Sequence, residues 1–181
     1  MTTDLHPLIR LARPADAASL ARVETQTWRD AYPTLLPEQF LVRGRGTADS
    51  WRQRLRGEPR RVVVAEASRR VVAYASWGAV NWGGGTHRDR DAAQLHELYV
   101  YVDHRGIGVG RSLCAEVARR LLEEGRTWLD VEVLDGNPAR YFYETLGAHL
   151  VARAHHDFAG QRLPTFIYRW NELDALAGQK I

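Results

Sequence analysis

"DHRGIGVGRSL", Asp103 to Leu113, sets three glycines among apolar residues, with arginines on both flanks. Glycine loses more conformational freedom on ordering than any other residue, so three so close together need a reason. "QLHELYVYV" (94–102), just before, reads as a strand. "GRSLCAEVARRLLEEG" (110–125), just after, reads as a helix: Leu113, Val117 and Leu121 make an apolar stripe, Glu116 and Arg120 an i,i+4 pair, and Gly125 is placed to end it. At such a junction backbone N–H groups and the positive end of the helix dipole converge on an anion, and glycine keeps Cβ atoms out of its way. Two nucleotide loops are excluded. A dinucleotide fingerprint needs a third glycine where Leu113 stands, and a Walker loop needs lysine where Arg111 follows Gly110.

Outward from this junction the chain alternates between strands and helices. Leu8 to Ala12 reads as a short strand. "RPADAASLARVETQTWRDAY" (13–32) reads as a helix, with Pro14 at its start, Asp16 near its first turn and Leu20, Val23 and Thr27 at helical spacing. "TLLPEQFL" (34–41) and Ser50 to Arg56 predict two more helices. "RVVVAEA" (61–67) and "RRVVAYASWGAV" (69–80) are β-branched runs that predict an antiparallel hairpin turning at Ser68 to Arg70. A Gly-rich polar loop, "NWGGGTHRDRDA" (81–92), leads into the strand of the opening stretch. After the central helix come a strand, "TWLDVEVL" (127–134), a short helix, "NPARYFYETLG" (137–147), and two final strands. The order β-α-α-β-β-β-α-β-α-β-β predicts an α/β fold, a mixed sheet with helices on its faces. At 181 residues, without internal repeat or linker, residues 1–181 read as a single domain that buries roughly 70% of its unfolded surface.

Composition narrows the class. Twenty-five basic residues face 22 acidic ones, Lys180 is the only lysine, and a net charge of +3 does not point to nucleic acid. The one cysteine, Cys114, forbids an internal disulfide and fits a reducing cytoplasm. Asp4, His6 and Arg10 interrupt any signal-peptide core, and no stretch reaches the length of a membrane span.

The pattern R-x-x-G-x-G, met by Arg105, Gly108 and Gly110, resembles the GNAT superfamily of N-acetyltransferases. "ELYVYVDHRGIGVGRSL" is similar to the strand–loop–helix core of that family, and "VLDGNPARYFYETLGA" to its later strand–helix segment. "TWRDAYPTLLPEQFL" resembles the N-terminal helices of one bacterial branch, so the resemblance runs from Ile9 to Trp170. Departures are Val102, where the family usually has proline, and Ala148, often phenylalanine. The resemblance implies a mostly antiparallel GNAT-like sheet, and acetyl-CoA as co-substrate with its pyrophosphate on the main chain of Arg105, Gly106, Ile107, Gly108, Val109, Gly110 and Arg111. It also places the pantetheine arm along the backbone near Tyr99, Val100 and Val102, with Asn137 capping the next helix or reaching that arm.

Acetyl transfer to an amine requires a held and polarised thioester, a deprotonated amine and a stabilised thiolate. The resemblance implies direct attack without a covalent acyl-enzyme, and Cys114, one place from the apolar stripe and without a base, reads as packing. It implies Tyr143 as the acid on the sulfur; Tyr141, two residues away, points to another side of the helix. For the base, Glu97, Glu132 and His96 are candidates, in that order, while Gln94 occupies the position nearest a glutamate used by relatives. Strand alternation sets Glu97 with Leu95, Tyr99 and Tyr101, and Glu132 opposite Leu129, Val131 and Val133. Each of these also fits a solvated or paired side chain. Trp28, Tyr32 and Phe40 fall where such a fold builds its acceptor pocket, or are core. The arginines from Arg43 to Arg61 read as a solvated helix face or an attractor for acidic groups. His155, His156 and Asp157 alternate faces and offer no metal spacing, so no metal is expected. The sequence thus predicts a cytoplasmic N-acetyltransferase acting on a small-molecule or peptide amine, without membrane or nucleic-acid partner and with a homodimer left open. A non-catalytic acyl-CoA-binding module of the same fold is the alternative, and a structural protein with a degenerate fold a third reading.

Overall fold

The computed structural model describes residues 7–32, 46–57, 61–82, 91–158 and 160–179. The helix read over 34–41, Phe40, Arg43, Arg45, Arg60 and most of the Gly-rich loop lie outside the described residues. Strand β1 (Leu8–Leu11) leads through a 3-10 turn, Pro14–Asp16, into α1 (Ala17–Ala31). Then come α2 (Ala48–Gly57), β2 (Val62–Ala67), β3 (Arg70–Gly78), β4 (Ala92–Val100) and α3 (Val109–Glu123). The chain continues with β5 (Trp128–Leu134), α4 (Ala139–Thr145), β6 (His149–Phe158) and β7 (Gln161–Trp170). It adds α5 (Leu173–Ala177), a short helix the sequence reading did not mark.

The seven strands form one sheet in the order β1-β2-β3-β4-β5-β7-β6. Among the described residues β4 and β5 are the only neighbours that run parallel. Parallel strands cannot be joined by a tight turn, and α3 is the crossover that joins them. Both faces of the central strands are covered, so the β-branched run Val62–Ala65 is buried throughout instead of alternating.

Two apolar layers flank the sheet. On one side Leu113, Val117 and Leu121 of α3 pack on Val63, Ala75, Leu95 and Val131, joined by Tyr143 of α4, Leu146 just after it, and Leu173 and Leu176 from α5. Each fully buried leucine or valine contributes about 1.5–3 kcal/mol. On the other side Leu20 and Val23 of α1 and Trp51 and Leu55 of α2 cover Val62, Val64 and Tyr74. Glu24, buried in α1, accepts hydrogen bonds from the Gly46 N–H at 3.0 Å and Trp51 Nε1 at 2.8 Å, which ties α1 to the start of α2. Cys114 is fully buried in the first layer, where burial pushes its thiol up to about 12. It is a packing residue.

Candidate active site

The parallel pairing of β4 with β5 runs from Ala92 opposite Trp128 to Leu95 opposite Val131 and then stops. Beyond it β4 stays with β3 as far as Val100, and β5 stays with β7 as far as Leu134. The two strands splay, and a cleft of about 740 Å³ opens between them. Its walls are β4 from Gln94 to Val100, β5 from Val131 to Leu134, the end of α1, the loop before α3 and the start of α4.

A β-bulge lies where the splay begins. Trp77 faces Leu95 and Ser76 faces Glu97 across β3 and β4, which leaves His96 as one extra residue. A bulge resets the alternation of side chains. Leu95 therefore joins Leu98 and Val100 toward α3, while Glu97 joins Tyr99 on the α1 and α2 side. This corrects the strict alternation that placed Leu95 and Glu97 together.

The glycine loop lies at one end of the cleft. Gly106 and Gly108 take φ of +76° and +86°, a left-handed backbone that a side chain resists. Gly108 is the N-cap of α3 and brings no side-chain cap. The first amides of a helix have no intrahelical acceptor, so this end of α3 presents donors and a positive dipole to the cleft. Gly110 serves differently: a Cβ there would stand 3.1 Å from the Phe142 ring, so its smallness lets α4 close against α3. Arg105, Gly106, Gly108, Val109, Gly110 and Arg111 all line the cleft, as do Tyr99, Val100 and Asn137. Arg105 Nε donates to the Val100 carbonyl at 2.9 Å, and Arg111 Nη1 to Gln179 Oε1 at 3.1 Å. Asn137 Oδ1 accepts from the Ala139 N–H at 2.9 Å and so caps α4. Val102 and Ile107 do not line the cleft. Val102 lies past the end of β4, in a 3-10 turn, with its carbonyl taken by the Arg105 N–H, because the chain must turn there to reach the loop.

The acid and base candidates occupy opposite sides of the splay. Tyr143 lines the cleft from the α3 side and is 7% exposed, whereas Tyr141 is 55% exposed on the outer face of α4. Burial, then Cys114 and Tyr32, push the Tyr143 phenol above its ordinary range. Glu97 and Glu132 line the cleft from the α1 side. Glu97 Oε2 accepts from Ser76 Oγ at 2.5 Å and pairs with Arg54 Nη1 at 2.8 Å. Arg54 also stacks over the Trp51 ring at 4.6 Å, so this arginine of the predicted solvated face is instead bound to the site wall. Glu132 Oε1 accepts from Thr165 Oγ1 at 2.8 Å, and Oε2 lies 3.3 Å from His156 Nδ1. Burial raises the Glu132 carboxyl, but hydrogen bonds from His156 and Thr165 and the charge of His156 outweigh it, and the net shift is downward.

His96 is exposed on the bulge, its Nε2 2.9 Å from the Ala79 carbonyl. Trp28 and Tyr32, with ring centroids 4.3 Å apart, close the α1 end of the cleft. His156, read from the sequence only against a metal, lines the cleft beside Glu132, a placement that reading did not foresee. Local sequence cannot show that β7 inserts between β5 and β6 and that a β6 side chain then reaches Glu132. Among the described residues no cluster of three or more His, Cys, Asp and Glu could hold a metal ion, and no helix is long and apolar enough to cross a membrane.

The profile of the Acetyltransferase (GNAT) family matches residues 23–148. An uncharacterized N-acetyltransferase, YuaI of Bacillus subtilis strain 168, is 28% identical over 172 residues, covering 93% of this chain and 95% of that protein. Among solved structures, the Salmonella typhimurium protein yncA with its cofactor acetyl-CoA superposes with a TM-score of 0.70 at 20% identity, over 91% of this chain and 92% of that one. The ribosomal-protein-alanine N-acetyltransferase of Brucella melitensis gives 0.71 at 25% identity, over 91% and 99%.

Proposed function

Since the chain belongs to the GNAT acetyltransferase family, we propose that it moves an acetyl group from acetyl-CoA to a primary amine by direct attack, without a covalent acyl-enzyme. The observation that carries this reading is the splay of β4 from β5 directly beside the uncapped N-terminus of α3. A parted pair of strands offers unpaired backbone to an amide-bearing arm, as in strand addition. The adjoining helix end offers donors to phosphate. A thin acyl carrier ending in a diphosphate fits both.

Acetyl-CoA supplies the activated acyl carbon. The chain's own groups then have separate tasks. The amides from Arg105 to Arg111 hold the pyrophosphate, and β4 near Tyr99 and Val100 aligns the arm. The Tyr143 hydroxyl donates to the departing sulfur from the α3 side. The acceptor enters from the α1 side, beside Trp28 and Tyr32, where Glu97 and Glu132 supply negative charge for an ammonium and a route for its proton. Cys114, buried and with its thiol pushed up, takes no part.

The test is thiol release from acetyl-CoA against a panel of peptide N-termini, small metabolites, polyamines and aminoglycosides. The neighbour named for ribosomal-protein alanine gives a reason to include alanyl peptides. Release with at least one amine supports the transferase. Tight acetyl-CoA binding without release across the panel would convert the reading to an acyl-CoA-binding module, and no binding would end both.

A further inference from the structure

Glu132 and His156 stand on strands that β7 separates, yet their side chains meet on the cleft wall, with Thr165 of β7 beneath them. Resting on the transferase reading above, we infer that His156 accepts the proton of the acceptor ammonium and that Glu132 acts through it, as the residue that positions its ring.

The tautomer follows from the partner. An ionised carboxylate can only accept, so the hydrogen between His156 and Glu132 belongs to Nδ1, and Nε2 carries the lone pair of the neutral ring. Glu132 has both oxygens committed, one to Thr165 and one to His156. A carboxylate held in this way orients an imidazole and stabilises the imidazolium better than it takes a proton itself. Glu97 is further from the task, because Ser76 and Arg54 both engage its Oε2. Among the described residues the hydrogen bond of His96 is with the neutral carbonyl of Ala79, and none is with a carboxylate. The ring of His156 is about half exposed and lines the same cleft as Tyr143. Among the described residues the other charged or titratable groups on those walls are Asp30 from α1, His96 and Glu97 from β4, Arg105 from the loop, Arg111 from α3, and Tyr32, Tyr99 and Tyr143. Imidazole is the side chain suited to taking and releasing a proton near neutrality.

The protons balance. One proton passes from the ammonium to His156 Nε2, and the freed nitrogen pair forms the N–C bond to the acyl carbon. The C–S bond breaks, and the sulfur takes its pair together with the Tyr143 proton. A second proton leaves the nitrogen and restores the Tyr143 hydroxyl, while His156 returns the first to solvent. The sum is amide, free thiol and one proton released.

His156→Gln and Glu132→Gln, compared with the parent in pH profiles of kcat/KM, test this. His156→Gln should lose about 10²- to 10⁴-fold in kcat/KM, the range for a general base, keep its affinity for acetyl-CoA by calorimetry, and lose the acid limb. Added imidazole should restore part of the rate. Glu132→Gln should keep the limb but move it to lower pH, since the imidazolium loses its carboxylate. A His156→Gln enzyme within threefold of the parent with the same limb would overturn the assignment. So would a limb that vanishes only in Glu132→Gln. The ring can also be titrated by NMR without any acceptor: its midpoint should fall in Glu132→Gln. An unmoved midpoint would refute the pair even if no amine in the panel were turned over, so failure here and failure of the transferase reading are told apart.

Discussion

Tyr143 owes its suitability to where α4 places it. The helix turns one tyrosine outward and the other inward, and the inward one meets the cleft from the side opposite the carboxylates. No side-chain hydrogen bond from the described residues reaches its hydroxyl. Burial holds the phenol neutral, so it keeps a proton to give at any pH near 7. Tyr143→Phe preserves the ring that packs edge-on against Trp170 at 5.7 Å and removes only the donor. It should lower kcat by about 10²-fold or more while leaving the dissociation constant of acetyl-CoA within about twofold, the signature of a contact made in the transition state. Single-turnover acetylation beside equilibrium binding decides it; unchanged turnover would leave Tyr143 a packing residue. Single residues were legible where a local rule governs them. Asn137 as a cap, Cys114 as packing and Glu132 opposite Val131 all follow from neighbours a few positions away. His156 beside Glu132 was not, because their meeting depends on the order of three strands.

Elements carry the next layer. The loop 105–108 turns through two left-handed glycines so that α3 begins with its donors facing the cleft, and the sequence pattern already pointed to a strand–helix junction of that kind. What the pattern could not reveal is that its glycines differ. Gly106 and Gly108 satisfy the backbone, whereas Gly110 makes room for Phe142. Nor could alternation foresee the bulge at His96, since one inserted residue looks like any other until its partner strand is known. Gly108→Val places a β-branched residue at φ +86°, which costs at least about 1–2 kcal/mol if the turn is kept. The cheaper response is to abandon the turn and misdirect the amides of α3. Acetyl-CoA affinity should therefore fall at least about tenfold, equivalent to 1.4 kcal/mol. The seven-stranded sheet, whose strands all lie outside residues 105–108, keeps its far-ultraviolet circular dichroism. Calorimetric affinity equal to that of the parent would remove the loop from the binding site.

For the whole molecule, the site depends on a sheet whose helices stay seated on both faces, and the first edge of that sheet is short. Strand β1 has four residues, and Arg10 is its anchor. Arg10 grips Asp16 with two nitrogens, at 2.7 and 2.9 Å, and Glu66 of β2 with two more contacts at 2.8 and 2.6 Å. Asp16 also accepts from the Arg13 N–H at 2.7 Å, so one carboxylate joins the edge strand, the turn and the start of α1. Burial raises the Asp16 carboxyl, but the bonds from Arg10 and Arg13 and the charge of both outweigh it, and its net shift is downward from 3.8. The sign of the linkage follows. A carboxyl lowered by folding adds stability that is present above its unfolded value and is lost as the pH falls through the folded one. Asp16→Asn keeps the shape and an acceptor for Arg13 but leaves Arg10, only 16% exposed, without half of its counter-charge. The variant should be less stable than the parent by about 1–3 kcal/mol at pH 7, the cost of stranding a largely buried charged donor. For a chain of this length that is about 2–12 °C in Tm. Urea unfolding at pH 7, 5, 4 and 3 should show the gap hold from 7 to 5 and then narrow toward acid, as the parent's own carboxylate takes up its proton. A gap that stayed constant down to pH 3 would mean that the asparagine costs packing and that the charge of Asp16 adds nothing.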